Sequence, residues 1–397
     1  MRKAPSVASR RLAFAVLVAV SMSTAVARQG ERETVNVSSL TTAPFQGSDS
    51  RVGSSSLTSA GSAIQISAGS ALAGNSVALA AFNRAADQWE QFLADPVQIT
   101  ISADLASLGP GILGQASSVQ LSTGFNAIRN QMVLDNSTGP FASLTAALPT
   151  AATYGVTLPS TGGWTTEPTM YATAANLAAM GFDLTGLLPG GSHASITFSS
   201  DFGFDFDRTD GIDPGLFDFE GVALHEIGHA LGFISEMDYV DSVQGGGGGP
   251  AIAWTTPWDL FRFSANGSNP SNLSQFGSMP RNLDPSQATV NDSISSFLGS
   301  NPEVPTSTGV DTGSGDQASH WLNQAALGYY PGAMLPSVAP GQRIDIGLND
   351  LIVLDTIGWD VNYAALPEPG TWAAIAFMGG LGLWRWTSRR CRAATAA

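Results

Sequence analysis

The chain has 397 residues, of which 12% are charged, and its formal net charge at pH 7 is −15. Lys3 is the sole lysine, so nucleic acid is excluded as a partner, because phosphate neutralisation needs a basic footprint. Cys391 is the sole cysteine, which excludes a disulfide framework. The length is ample for one large domain or for two lobes.

The N-terminus carries the three parts of a secretory signal peptide. An apolar stretch covers residues 12–20, and Ala25-Val26-Ala27 is a small-x-small cleavage site. The basic region before the apolar stretch consists of Arg2, Lys3, Arg10 and Arg11. We therefore predict that residues 1–27 are a signal peptide that is removed after Ala27.

Residues 28–73 are rich in Ser, Thr, Gly and Ala, with weak periodicity. We interpret this segment as a linker, a propeptide-like segment or an edge-strand region. After it, apolar spacing of 3.6 residues predicts helices and alternation predicts strands. In chain order the pattern predicts a helix over 77–93, a strand over 97–101, helices over 124–133 and 173–180, and strands over 194–199 and 258–263. A last helix is predicted over 348–357.

Four aspartates are spread through a glycine turn at 205–213, namely Asp205, Asp207, Asp210 and Asp213. Carboxylate oxygens at this density could hold Ca²⁺, and the run resembles the beginning of an EF-hand loop without its later bidentate glutamate. An acidic surface loop whose Asp side chains bond their own backbone explains the same pattern. We favour the second interpretation and keep a calcium site as the alternative.

The most informative segment is 225–233, His-Glu-Ile-Gly-His-Ala-Leu-Gly-Phe. On a helix, positions four apart lie one above the other, so His225 and His229 present two imidazoles on one face. That spacing suits a single Zn²⁺, and Glu226 is placed to take a proton from water. The alternative is a buried helix whose histidines make ordinary hydrogen bonds. The chain has only 4 histidines, and two of them flank this glutamate at the required spacing.

The residues around this motif independently predict a helix. Asp218 is a candidate N-cap, and a buried stripe recurs at helical spacing through Leu224, Ile227 and Leu231. Gly232 suits the left-handed position that ends a helix.

A catalytic zinc usually has three protein ligands and one open position. The continuous pattern H-E-x-x-H-x-x-G-x-x-H would put the third histidine at 235, where this chain has Ser235. The remaining candidates are His193, which we expect in a surface loop, Glu236 and Asp238, which would need a distorted loop, and His320. More distant carboxylates also stay open.

The segment around His320 carries a specific resemblance. Ser319-His320-Trp321, followed by Gly332-Ala333-Met334-Leu335-Pro336, resembles the leishmanolysin branch of the metzincin proteases. The resemblance implies that His320 is the third zinc ligand and that Met334 is the residue of the methionine turn beneath the metal. A core methionine that fills a gap is the alternative for Met334. The match covers short motifs and their order.

The resemblance also implies the architecture. We expect an α+β metzincin-like zinc protease domain over 74–364, with a mixed sheet, an active-site helix, a long insertion over 235–319 and a C-terminal helix. The strand over 194–199 is expected to be an edge strand that pairs with extended substrate. The lone Cys391 departs from the family, which is rich in disulfides and uses a cysteine for latency.

The C-terminal residues 365–397 carry a second candidate targeting signal. Pro367-Glu368-Pro369 precedes an apolar stretch at 372–384 and a basic cluster. The stretch is shorter than the ~20 residues that span a bilayer comfortably. This order resembles the PEP-CTERM sorting signal of Gram-negative bacteria, which implies transient inner-membrane anchoring, processing by an exosortase-like enzyme and release to the cell surface or extracellular matrix. A permanent single-span anchor is the alternative.

We therefore expect a secreted zinc endopeptidase that acts on protein or peptide substrates, with Glu226 as general base. A non-catalytic matrix or adhesion protein on a metalloprotease-like scaffold is the alternative from another class. A metal-dependent hydrolase of a non-peptide bond is the third.

Overall fold

A computed structural model of the chain describes residues 61–247, 249–265, 270–291 and 304–365, and the backbone of 15–19 and 34–36. The chain divides into two compact units, 1–361 and 362–397. Of the second unit, the short 3₁₀ helix Tyr363–Ala365 is described. The predicted sorting tail beyond residue 365, and most of the predicted signal peptide, lie outside the described residues.

The strands in chain order are β1 Ala15–Ala19, β2 Thr34–Asn36, β3 Ala63–Ala68, β4 Gln98–Ala106, β5 Ile112–Ser118, β6 Gln120–Gly124, β7 Val156–Thr157, β8 Thr165–Thr173, β9 Ala194–Ser199, β10 Phe204–Asp205, β11 Phe217–Asp218, β12 Ile252–Thr255, β13 Arg262–Ser264, β14 Arg281–Asn282, β15 Thr289–Asn291 and β16 Val304–Thr306. The helices are α1 Ser70–Gly74, α2 Ser76–Phe92, α3 Phe125–Asp135, α4 Ala142–Ala146, α5 Ala174–Ala179, α6 Phe219–Leu231, α7 Met237–Gly245, α8 Leu273–Ser278, α9 Gln324–Leu327 and α10 Leu348–Thr356.

The main sheet has the strand order β1-β5-β9-β4-β3. β3, β4 and β9 run parallel, whereas β5 is antiparallel to β9 and β1 is antiparallel to β5. A second mixed sheet has the order β12-β8-β6-β2, and β13, β15 and β16 form a small antiparallel sheet in the predicted insertion. The molecule is therefore an α+β protein with mixed sheets, as the sequence predicts.

Most of the predicted elements are present. The helices predicted over 77–93, 124–133, 173–180 and 348–357 correspond to α2, α3, α5 and α10, and the strand predicted over 97–101 is the first part of β4. Residues 61–73 lie inside the segment interpreted as a linker, a propeptide-like segment or an edge-strand region. There β3 pairs with β4 over six residues and is the outer strand of the main sheet, so the edge-strand interpretation holds for this part.

The strand over 194–199 has the predicted bounds but a different place in the sheet. β9 lies between β4 and β5, so the prediction that it is an edge strand is wrong. The strand that packs along α6 is β5. Alternating polarity reports which face of a strand is buried, but it carries no information on strand order.

The strand predicted over 258–263 is also wrong in its first part. Trp258–Phe261 is a 3₁₀ helix, and the strand β13 begins only at Arg262. Pro257 precedes the turn with φ −52°, a value preset for helical backbone. Asp259 folds back so that its carboxylate accepts from the backbone N–H of Thr256 at 2.9 Å, which stabilises the turn against an extended chain.

The core lies between the main sheet and a pair of helices, α2 and α6. Phe82 of α2 meets Phe198 of β9 edge-on at 5.0 Å, and Phe198 packs on Phe219 of α6 at 4.6 Å. The indole of Trp89 donates to the carbonyl of Leu224 at 3.0 Å and joins the two helices. Among the described residues, no helix has the length and apolar character that crossing a bilayer demands.

A cluster of carboxylates joins the end of α2 to the end of the first unit. Asp95 is 2% exposed, and one of its carboxylate oxygens accepts from the backbone N–H of Asp360 at 2.9 Å. Burial, reinforced by the nearby carboxylates of Asp360 and Asp135, raises the pKa of Asp95 from 3.8 to about 9. The neutral acid is therefore the folded form at pH 7.

This shift predicts how stability depends on pH. Because Asp95 keeps its proton up to about pH 9 when folded but only to 3.8 when unfolded, the stability it contributes is lost as pH rises between those values. An Asp95→Asn variant cannot ionise, so its free energy of unfolding relative to wild type should rise with pH by at most about 1.4 kcal/mol per unit.

The measurement is urea unfolding of both proteins between pH 5 and pH 8, values chosen inside that window. Asp87→Asn, on the exposed face of α2, removes the same formal charge and serves as control. A difference between Asp95→Asn and wild type that is flat across this range would contradict the prediction.

Candidate metal centre

The helix α6 presents the motif histidines from a fully buried position. Its N-terminus is capped by the predicted residue, because the carboxylate of Asp218 accepts from the backbone N–H of Gly221 at 3.0 Å. Its C-terminus is Gly232, with φ +137°, where a Cβ would lie 2.8 Å from Cδ1 of Ile357. The glycine therefore serves both the left-handed turn and the close packing of α10.

The structure brings together the three histidines that the sequence singles out. The Nε2 atoms are 2.9 Å apart for His225 and His229, 3.1 Å for His225 and His320, and 3.2 Å for His229 and His320. Each side chain is at most 1% exposed. Among the described residues this is the one group of three or more His, Cys, Asp or Glu side chains whose ligand atoms lie within 4.8 Å of one another.

Each imidazole is oriented through its other nitrogen. The Nδ1 atom contacts a backbone carbonyl in every case: His225 with Ala333 at 2.8 Å, His229 with Phe233 at 2.7 Å and His320 with Gln317 at 3.1 Å. A carbonyl only accepts, so each Nδ1 is the donor. The proton of the neutral ring is thereby assigned to Nδ1, and Nε2 keeps a bare lone pair.

Burial keeps the three rings neutral. It lowers the pKa of His225 to about 4, and it lowers the pKa of His229 and His320 well below the ordinary range, with the neighbouring rings acting in the same direction. Three bare lone pairs at 2.9–3.2 Å cannot hydrogen-bond to one another. They repel unless a cation lies among them, so the donor set fits a metal ion. A tetrahedral ion with metal–nitrogen bonds of about 2.0–2.1 Å would set the nitrogens roughly 3.3 Å apart, close to the observed spacing.

Glu226 lies on the same helix, one residue after the first ligand, and is fully buried. Neither carboxylate oxygen makes a hydrogen bond of regular geometry within the described part of the chain, although the backbone amide of Ala116 lies close enough to interact with the charge. Burial raises the pKa of Glu226 well above its usual range, opposed by the backbone amide of Ala116. A raised pKa makes the ionised carboxylate a stronger base than one exposed to water.

β5 passes directly over this carboxylate at Gly114. A Cβ at Gly114 would lie 2.7 Å from Oε1 of Glu226 and 3.0 Å from Cγ1 of Val222. The absence of a side chain therefore lets the strand approach the glutamate. The sequence gives no sign of this role, because the contact joins residues that are more than a hundred positions apart.

Met334 lies beneath the metal helix. A Cβ at Gly228 would overlap the sulfur of Met334, and Met334 is fully buried. The preceding residue, Ala333, supplies the carbonyl that orients His225. The methionine therefore packs against the helix that carries His225 and His229, and its role as a methionine-turn residue stays a prediction.

Asp350 of α10 links this turn to the third ligand and was missed in the sequence. Its carboxylate accepts from the indole of Trp321 at 2.7 Å and from the backbone N–H of Ala333 at 2.6 Å. Gly332, with φ +153°, leaves room for the carboxylate, which a Cβ would overlap. Asp350 therefore fixes the neighbours of both His320 and Met334.

The other candidate ligands serve structural roles. His193 is 7% exposed, so the expected surface loop is wrong, and its Nδ1 accepts from the backbone N–H of Thr100 at 3.1 Å. Glu236 accepts from the backbone N–H of Trp254 at 2.8 Å. Asp238 accepts from the backbone N–H of Ser319 at 3.1 Å.

The four aspartates of 205–213 are partly used within their own loop. Asp205 accepts from the backbone N–H groups of Asp207 at 2.9 Å and Asp213 at 2.8 Å, and Asp207 accepts from the backbone N–H of Thr209 at 3.1 Å. These bonds match the acidic-loop interpretation. Calcium at Asp205, Asp207, Asp210 and Asp213 stays a prediction without support from this geometry.

Comparison of the chain with models of protein families, with curated proteins and with solved structures finds no match in any of the three. The interpretation of the site therefore rests on its own residues.

Replacement of His320 tests the three-nitrogen centre. Metal content of His320→Ala, purified in the presence of a divalent transition metal and dialysed, should fall well below one ion per chain, because two imidazoles hold such an ion far more weakly than three. His193→Ala, which removes a histidine outside the group, should keep the metal content of wild type. Equal metal content in both variants would point to a different third ligand.

Proposed function

We propose that the chain is a secreted zinc-dependent endopeptidase of metzincin type that resembles the leishmanolysin branch. One observation carries the proposal: three neutral imidazoles aim bare nitrogens at one point, and a fully buried glutamate follows the first of them on the same helix. The order of motifs His225-Glu226, His229, Gly232, Ser319-His320-Trp321 and Met334 supports the family.

The donor set favours zinc in a catalytic rather than a structural role. Structural zinc is enclosed by four protein ligands, whereas catalytic zinc has three and an open position. Within the described residues the group has three members. Imidazole nitrogen also suits copper, iron and nickel, so the preference for zinc rests on the adjoining Glu226 and on the motif order.

The residues divide the work as follows. His225, His229 and His320 would hold the ion, which when bound supplies a Lewis acid that polarises a carbonyl and acidifies water. Glu226 accepts the proton from the attacking water, holds it at the carboxylate and passes it to the departing amine. Burial raises the pKa of Glu226, which makes its ionised carboxylate a stronger base toward the proton of that water.

The outer edge of β5 supports an extended peptide substrate. In the full chain the backbone of β1 pairs with that edge in antiparallel register, from Ala15 opposite Ser117 to Ala19 opposite Ile112. β1 belongs to the predicted signal peptide, so its removal would leave the edge open beside α6. A substrate strand added there would pass Gly114 and reach Glu226.

The sequences of the two termini support a location of the proposed enzyme outside the cell. The predicted signal peptide would direct export, and the resemblance of the tail to a PEP-CTERM signal implies transient membrane anchoring and release by an exosortase-like enzyme. Intact-mass analysis of the released protein reports both processing sites.

Cleavage of casein or gelatin tests the proposal. The mature chain beginning at Arg28, loaded with zinc, should cleave, and Glu226→Gln should keep its zinc but lose most turnover, on the order of 10²-fold or more for the loss of a general base. Removal of zinc by a chelator should abolish cleavage, and added zinc should restore it. Undiminished cleavage by Glu226→Gln would contradict the assigned base. Zinc binding without cleavage by the wild type would favour the matrix-protein alternative.

A second prediction concerns the strand above the base. In Gly114→Ala the new Cβ forces the Glu226 carboxylate to move, so kcat/KM should fall roughly 10–100-fold, since a displacement near 1 Å costs about that much. Zinc content should not change. Gly124→Ala, in β6, adds a Cβ with no atom within 4 Å and is the matched control. Equal activity of the two variants would show that Gly114 has no part in the geometry of the base.

A further inference from the structure

The insertion that separates the second and third histidines is closed at its base. Ser235 and Ser319 are 84 residues apart, yet the backbone N–H of Ser235 donates to Oγ of Ser319 at 3.0 Å. Ser319 directly precedes His320. The start of the insertion, just after α6, therefore lies next to its end, just before His320.

Asp238, in the first turn of α7, holds the returning segment. Its Oδ1 accepts from the backbone N–H of Ala318 at 2.5 Å, and its Oδ2 accepts from the backbone N–H of Ser319 at 3.1 Å and from the Ser319 hydroxyl. One carboxylate thus receives three donors from the two residues before His320. Hydrogen bonds to an ionised acceptor are the stronger kind.

Arg262 holds the same segment from the other side. Its guanidinium is buried and donates to the carbonyl of Ala318 at 2.7 Å and to the carbonyl of Ser307 at 2.7 Å. The residue before Ala318 is Gln317, whose carbonyl receives the Nδ1 proton of His320. The position of 317–319 therefore sets both the location and the rotation of the His320 ring.

We propose that Asp238 is a positioning residue of the metal centre, which delivers His320 to the other two histidines by clamping Ala318 and Ser319. The proposal rests on the proposed function, in that it takes the three histidines to bind zinc. Ser235, Ser319 and Asp238 form the clamp, hereafter the insertion clamp. It acts together with Arg262 and with the backbone bond from Ser307 to the carbonyl of His320, which hold the same segment.

Asp241 provides a matched control on the same helix. Its carboxylate accepts from the backbone N–H of Asp311 at 2.8 Å, from the backbone N–H of Thr312 at 2.7 Å and from the Thr312 hydroxyl at 2.7 Å. The set of donors is the same as for Asp238, but the segment that it holds ends eight residues before His320. Loss of either aspartate removes comparable bonds, and only one of them touches the residues beside a ligand.

The experiment compares Asp238→Asn with Asp241→Asn in the full-length protein. Zinc dissociation constants are measured by competition with a chromophoric chelator, the d–d absorption of the Co²⁺-substituted protein reports the number of ligands, and thermal unfolding reports stability. We expect both variants to melt earlier than wild type. Only Asp238→Asn should weaken zinc binding, by roughly 10–100-fold, as is typical for loss of a residue that orients a ligand. Only Asp238→Asn should shift the Co²⁺ spectrum.

Ser319→Ala keeps the test decisive if Asp238→Asn does not fold. It removes the hydroxyl that joins Ser235 to Asp238 but leaves the two backbone bonds, so zinc binding should weaken less than in Asp238→Asn and still more than in Asp241→Asn. Asp238→Glu keeps a carboxylate at this position, so it should bind zinc more tightly than Asp238→Asn but less tightly than wild type.

The outcomes separate the two proposals. If wild type binds zinc and the Asp238 and Ser319 variants bind it as tightly, the insertion clamp is overturned and the proposed function stands. If Asp241→Asn weakens binding as much as Asp238→Asn, the effect is general loosening and the clamp is again overturned. If wild type itself does not bind zinc, both proposals fall.

Discussion

The convergence of three imidazole nitrogens is the constraint on which the rest of the structure depends. Bare lone pairs about 3 Å apart repel, and their burial removes the water that would solvate them. The arrangement is therefore one that a cation among the three nitrogens would stabilise. Each ring is held by one backbone carbonyl, and the three carbonyls belong to Ala333, Phe233 and Gln317, which are far apart in the chain. Metal affinity in such a site is a property of the whole backbone around it.

Buried carboxylates are the device that fixes this backbone. Asp218 caps α6, Asp350 ties the methionine turn to Trp321, and Asp259 accepts from the backbone N–H groups of both Glu236 and Thr256. Burial raises the pKa of Asp350 to about 6, and its hydrogen bonds with Trp321 and the backbone oppose the rise, so the group stays ionised at pH 7. Several N–H donors per carboxylate offset the desolvation of the charge. The chain has a single cysteine, so these aspartates, and not disulfides, tie the distant segments together.

The helix α6 could be predicted from residues that are close together in sequence. Features of the site that depend on contacts between distant residues could not. Three local signals within fifteen residues predict α6, and the structure agrees with each of them. They are an N-cap at the start, an apolar stripe along the buried face and a glycine at the end, namely Asp218, then Leu224, Ile227 and Leu231, then Gly232. His320 could be predicted as the third ligand only from the resemblance in the order of motifs, because spacing along the chain does not report proximity across 91 residues. The prediction that 194–199 forms an edge strand was wrong for the same reason, since nothing in that segment indicates that β5 pairs with its outer side.

The residues missed at the site share one property: each acts on a partner far away in sequence. Gly114 matters because Glu226 lies beneath it, and Asp350 because Trp321 and Ala333 donate to it. A glycine in a strand and an aspartate in a short helix carry no local signal of such roles. His193 was misplaced by the same limit, because the backbone N–H of Thr100 that its ring receives belongs to the neighbouring strand β4.

The long insertion adds to the entropic cost of bringing His320 to the other two histidines, and the bonds of the insertion clamp offset that cost. The continuous motif would return a histidine six residues after His229, whereas here the third histidine follows 91 residues later. Closing the longer loop costs only about 2 kcal/mol more, because the entropy grows with the logarithm of length. The bonds among Ser235, Asp238 and Ser319 contribute on the order of 0.5–1.5 kcal/mol each. A few such bonds at the base therefore offset the extra cost of closing the longer loop.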